Sequence, residues 1–171
     1  MPKYFLVGLY MFCLSGAFAQ RRTENLTTDW PAEYKWQVVN SQNDDEKQTV
    51  VIIPGNETVR NATIIGVMSA YRGRHYTDID QLVSQYKNAL DTGSILTIVD
   101  SAVSAANPWV IFKVETPSSN KYHEPESDLY FVIQGEFAVF EDHVALKDAR
   151  LPADFIAKWG EIFKQSKLVK N

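Results

Sequence analysis

The stretch Tyr122-His-Glu-Pro-Glu-Ser-Asp128 sets one imidazole beside three carboxylates, His123 with Glu124, Glu126 and Asp128. Such groups bind hard metal ions or exchange protons at a reacting centre. Pro125, however, breaks any helix that would align His123 with Glu126, and no H-E-x-x-H, zinc or EF-hand spacing is present. With Pro117-Ser-Ser-Asn-Lys121 leading into it, the stretch reads as a solvated loop. A second candidate is Ala70-Tyr-Arg-Gly-Arg-His-Tyr-Thr-Asp78. Here Arg72, Arg74 and His75 stand just before an expected helix whose amino end turns backbone N–H groups outward. That arrangement can hold a phosphate, a sulfate or a carboxylate, and Gly73 would let the loop turn tightly. Arg72, Arg74 and His75 are therefore the candidate residues for anion or partner binding. A third candidate, Glu141-Asp142-His143, resembles part of a triad, but no serine stands in a G-x-S-x-G elbow. Neighbours on a strand point to opposite faces, so Asp142 and His143 are not expected to meet. No catalytic residue, metal ligand set or cofactor motif emerges.

The elements that position these residues are legible from periodicity. Residues 35–42, 49–55 and 62–71 read as strands, the last rich in β-branched side chains. Pro54-Gly55 suits the middle of a type II turn. From Thr77 to Leu90 the apolar residues fall at Ile79, Leu82, Val83, Tyr86 and Leu90, one face of a helix, with Thr77 and Asp80 as a capping pair. Residues 95–103 and 109–116 are again strands, and 129–146 form a hairpin turning near Gly135. The final segment, 151–166, carries Phe155, Ile156, Trp159, Ile162 and Phe163 on one helical face, and Gly160 there would allow close approach to the sheet. An antiparallel sheet packed with helices, α+β, is the expected architecture. The aromatic residues Trp30, Tyr34, Trp36, Trp109, Tyr122, Tyr130, Phe137 and Phe140 could line a ligand groove, although core packing is their commoner use.

The first residues speak to destination. Lys3, a mostly apolar run from Tyr4 to Phe18, and Ala17-Phe-Ala19 have the order of a secretory signal peptide cut after Ala19. The expected organisation is a signal peptide at 1–19, a flexible leader at 20–29 and one domain at 30–171. Cys13, the single cysteine, would leave with the signal, which excludes disulfides, zinc-thiolate sites and cysteine nucleophiles. A formal charge of −4 spread along the chain argues against nucleic acid, and no stable membrane insertion is expected after cleavage. The sequons at Asn25, Asn56 and Asn61 read as chance.

The pair LYFVIQGEFAVFEDHVAL and LPADFIAKWGEIFKQS resembles the end of the PsbP and Mog1-like domains. The openings DWPAEYKW and NPWVIFKVE are similar to segments of small secreted proteins of Bacteroidetes-type bacteria. The resemblance spans Asp29 to Val169. It implies a PsbP/Mog1-like α/β/α sandwich, an antiparallel sheet between helices. It also implies non-enzymatic binding, since PsbP proteins serve photosystem assembly and oxygen evolution while Mog1 binds a small nuclear GTPase. The expectation is thus an exported binding protein, periplasmic or secreted, whose partner is an envelope protein or a small ligand. The alternative is a secreted enzyme, a hydrolase whose site assembles only in tertiary structure.

Overall fold

The computed structural model describes residues 24–103, 106–117 and 125–170. The expected signal peptide, the start of the leader, and Tyr122, His123 and Glu124 lie outside these residues.

Seven strands form one sheet in the order β2-β3-β4-β8-β7-β6-β5, with every neighbouring pair antiparallel. They are β2 (Gln37–Asn43), β3 (Lys47–Ile53), β4 (Ile65–Arg72), β5 (Ile95–Ala102), β6 (Trp109–Thr116), β7 (Glu126–Gln134) and β8 (Ala138–Leu146). The central strands are apolar on both faces because both faces are covered. On β6, Val110, Phe112 and Val114 point one way, while Ile111 points the other. Helix α1 (Ile79–Ala89) covers the first face, setting Ile79, Leu82 and Val83 on Val110, Phe112, Val132 and Val139. Helix α2 (Ala153–Lys164) covers the second with Trp159 and Phe163, both fully buried. Phe163 stacks on Phe131 at 5.7 Å between ring centroids. Truncating Trp159 to alanine would cost ~3–5 kcal/mol.

The α/β/α sandwich expected from the resemblance is not what forms. The fold is β-rich, nine strands in two sheets with two short α-helices among the described residues. The physical reason is width. Seven strands at ~4.8 Å spacing make a sheet roughly three times as wide as a helix ~10 Å across. One three-turn helix per face therefore forms no layer, and the remaining area is closed by other means. On the α2 face these are the aromatic residues Trp30, Tyr34 and Trp36, which pack against Trp159 with ring centroids 5.5, 6.2 and 6.3 Å away.

The second sheet is a ribbon that the sequence did not announce. Strand β1 (Glu24–Thr27), inside the stretch expected to be a leader, pairs antiparallel with β9 (Lys167–Lys170). Glu24 is buried and fixes the ribbon to the main sheet, because its Oε2 accepts the Glu136 N–H at 2.7 Å. Beyond β1, Thr28 donates to Asp142 Oδ2 at 2.5 Å. That spends the Thr28 proton, so in its 2.8 Å contact with Ser166 the serine is the donor.

Local details also depart from expectation. Helix α1 is capped by Asp78, whose Oδ1 accepts the Gln81 N–H at 2.6 Å, so Thr77 stands one residue outside the cap. The turn after β3 has Pro54 as its first residue, with Glu57 N–H donating to Pro54 O at 3.0 Å, and is not type II. Gly55 is required there for another reason: a Cβ would lie 2.3 Å from the Lys35 carbonyl oxygen. No helix among the described residues is long and apolar enough to cross a membrane.

Candidate functional site

Where α1 crosses β7 and β8 it leaves a cleft. Its larger part is a cavity of about 330 Å³, with Ile79 and Leu82 of α1 on one side and Val132 and Val139 of the sheet on the other. These four side chains are buried, so the walls are preformed. Val103, 65% exposed, and Pro108 stand at the mouth. The acidic rim is Asp78, already used as the helix cap, together with Asp80. Tyr76 and Val139 also line a smaller hollow of about 180 Å³, which is walled by Tyr71, Arg74, Tyr86 and Glu141. The two hollows thus share a wall, and the smaller one, called the polar hollow below, is the one that carries Arg74 and Glu141.

Behind the polar hollow lies a buried string of charges. Glu141 and His143 are two residues apart on β8 and so share the α1 face. His143 Nδ1 is 3.2 Å from Glu141 Oε1, and Tyr86 of α1 donates its hydroxyl to Glu141 Oε2. On the other side, His143 Nε2 is 4.0 Å from Asp128 Oδ1. Strand register makes this possible, since β7 sets Tyr130 opposite His143 and Asp128 one face-step away.

Electrostatics assign the protons. Burial works against the charged form of His143, but the Glu141 hydrogen bond and the charges of Glu141, Asp128 and Asp142 outweigh it, raising its pKa above 6.5. Burial likewise opposes the Glu141 charge, yet the hydrogen bonds from His143 and Tyr86 and the imidazolium charge hold it below 4.5. Asp128 is pushed up to about 6 by burial, against the pull of His143. The Tyr86 phenol is driven upward by burial and by the Glu141 charge, so it stays protonated. Burial and Glu141 also raise Tyr71, to about 12.

This arrangement can hold a proton between two carboxylates, but it presents no nucleophile. The hydroxyl bonded to it is a phenol that donates, not one poised to attack. The alternative reading, a hydrolase, calls for a pocket that joins two of His75, His123 and His143 to a carboxylate. Instead, His75 is exposed on the loop before α1, His143 is half-buried on β8, and His123 lies outside the described residues. No cluster of three or more metal-ligating side chains forms among the described residues.

The three loop residues Arg72, Arg74 and His75 do not act together. Arg72 is a clip between strands, donating to the Asp44 carbonyl and to Asn43 Oδ1 at 2.8 Å. Arg74 lies over the Tyr71 ring, its guanidinium carbon 4.8 Å from the centroid, and lines the polar hollow. Of the quoted acidic loop, Asp128 turns inward to His143 while Glu126 is exposed. The aromatic set divides as well: Trp30, Tyr34 and Trp36 pack on the α2 face, and Tyr130 stacks on Phe112 on the α1 face. They do not line one groove. Sequence reasoning named Asp128, Glu141 and His143 in separate candidates and Tyr86 as part of a helix face; what it missed is that the four meet. The signal for them was the alternation Glu141-x-His143 facing Asp128-x-Tyr130 across the hairpin.

No family model matches the chain, and no curated protein is significantly similar to it.

Proposed function

We propose that this is an exported binding protein that takes a small, largely apolar molecule into the cleft between α1 and strands β7 and β8. The observation that carries this reading is the preformed cavity of about 330 Å³ walled by Ile79, Leu82, Val132 and Val139. Its size falls within the usual range for ligand sites, roughly 300–1,000 Å³. A core closed without such a space would have spoken for protein recognition alone. Export is supported by Lys3, the apolar run after it and Ala17-Phe-Ala19. The hydroxyl bonded to the Glu141–His143 pair is the Tyr86 phenol, which donates and stays protonated, and this supports binding over hydrolysis through a covalent intermediate.

Native mass spectrometry of the protein isolated from its host's envelope fraction tests this reading. The expected result is a bound mass of a few hundred daltons, on the order of what such a cavity holds. A Val103→Trp variant closes the mouth from an exposed position and so leaves the core intact; it is expected to lose that mass. A bare chain in both cases, with no uptake of apolar probes, overturns the proposal.

One observation favours a second reading. Edge strand β5 and the residue after it expose Ile95 (58%), Ile98 (46%), Val99 (41%) and Val103 (65%). An unpaired edge with apolar side chains is a docking place for an extended segment of an envelope protein. Crosslinking from residue 98 would capture that partner, and failure to do so under conditions where the cavity fills would remove this reading.

A further inference from the structure

Resting on the reading that the cavity takes an apolar molecule, we propose that the ligand is an amphipathic anion. Its apolar chain fills the cavity and its carboxylate-type head lies against Arg74. Four observations converge on this. Tyr76 and Val139 line both the polar hollow and the apolar cavity, so the two lie side by side with only these side chains between them. Arg74 stands beside the junction, its carbonyl 3.5 Å from Nε2 of Gln134, which also lines the cavity. Its guanidinium rests on the Tyr71 ring and has no carboxylate partner among the described residues. Lys47 approaches the same ring, its Nζ 4.9 Å from the centroid, and adds a second positive charge at that end.

The charges around the cleft orient such a ligand. Asp78 and Asp80 rim the cavity by the start of α1, which disfavours a carboxylate head there. Glu141 walls the polar hollow, but the His143 imidazolium and the Tyr86 hydroxyl already engage both of its oxygens. The net field at the Arg74 end therefore comes from Arg74 and Lys47. A guanidinium offers a paired set of donors to a carboxylate, and its stacking on a tyrosine holds that fork in place.

Calorimetric titration of the folded protein with decanoate and with decanol tests this. Decanoate is expected to bind at least about tenfold more tightly than decanol. Arg74→Gln should erase that preference while leaving decanol binding unchanged, Arg74→Lys should retain part of it, and Val103→Trp should weaken both ligands. Equal binding of the two probes, insensitive to Arg74→Gln, overturns the anionic head and leaves the apolar cavity reading standing. Binding of neither probe overturns both.

Discussion

Nδ1 of His143 lies 3.2 Å from Oε1 of Glu141, two residues earlier on the same strand and almost wholly removed from water. Removing one partner of such a pair leaves the other charge uncompensated, so Glu141→Gln is expected to destabilise the fold by about 3 kcal/mol. The pH dependence follows from the two shifts. Glu141 is lowered, so its contribution is present above about pH 4.5 and is lost as pH falls through its folded value. His143 is raised, so its contribution is fully present below about pH 6.5 and is lost as pH rises through its folded value. Chemical denaturation should show the largest difference between wild type and Glu141→Gln between those limits. A difference that does not shrink above them would sink the assignment.

Asp142 points to the other face of β8 and behaves oppositely to Glu141. Burial raises it to about 7, against the stabilising Thr28 hydrogen bond. A carboxyl raised in the fold favours the folded state while protonated, and that preference fades as pH rises from about 4 through 7. Asp142→Asn keeps an acceptor for Thr28 and removes the charge. It should therefore flatten the decline in stability over that range, by up to about 4 kcal/mol. Some decline should remain, because Asp128 is raised in the same sense, to about 6. An unchanged pH profile in melting experiments would contradict the buried, ionising carboxyl.

Gly160 lies in the middle of α2, and among the described residues nothing comes within 4 Å of a Cβ built on it. The close approach to the sheet that its presence suggested is not what the residue serves. Gly160→Ala should stabilise the protein by ~1 kcal/mol through helix propensity alone. A loss of stability in a urea titration would show that the space is needed.

At Gly135 the reverse holds. A Cβ there would lie 2.1 Å from Glu24 Oε2, the atom that accepts the Glu136 N–H. Gly135→Ala should displace Glu24 and cost ~1–3 kcal/mol by leaving buried donors unpaired. Because the two closest atoms both belong to Glu24, with Phe140 next at 3.0 Å, the same substitution made in a Glu24→Ala background should cost markedly less. Additive effects of the two changes would exclude this contact as the cause.

The main sheet and both helices were readable because their patterns repeat. Val110, Phe112 and Val114 alternate with Ile111, and Trp159 and Phe163 recur at the helical step. The ribbon was not readable, because β1 and β9 are four residues long and each packs a single leucine, Leu26 or Leu168, against the core. The other inward residue of β1 is the charged Glu24, and one apolar inward residue per strand is no period. The site was hidden for a different reason. Its members come from α1, β7 and β8, and what joins Asp128 to His143 is hairpin register, which a turn at Gly135 suggests but does not number. The candidate arginines were visible as a group, yet only the packing separates Arg72, committed to Asn43 and Asp44, from Arg74, which faces the hollow. The fold class was misjudged on coverage: the elements were largely in the right order, but two helices of about three turns are too narrow to layer seven strands.

The ribbon of β1 and β9 sets Glu24 directly opposite Lys170. The stretch from Glu24 to Lys170 is thus very nearly a ring, closed by hydrogen bonds where a peptide bond could be. A short linker across that gap would turn the ribbon into an ordinary hairpin, and new ends could then be opened in an exposed turn such as Asp45-Glu46. The same geometry has a bearing on biosynthesis. Strand β1 emerges from the ribosome early but has no partner until Lys170 follows, so the ribbon cannot close before the chain is made up to that residue.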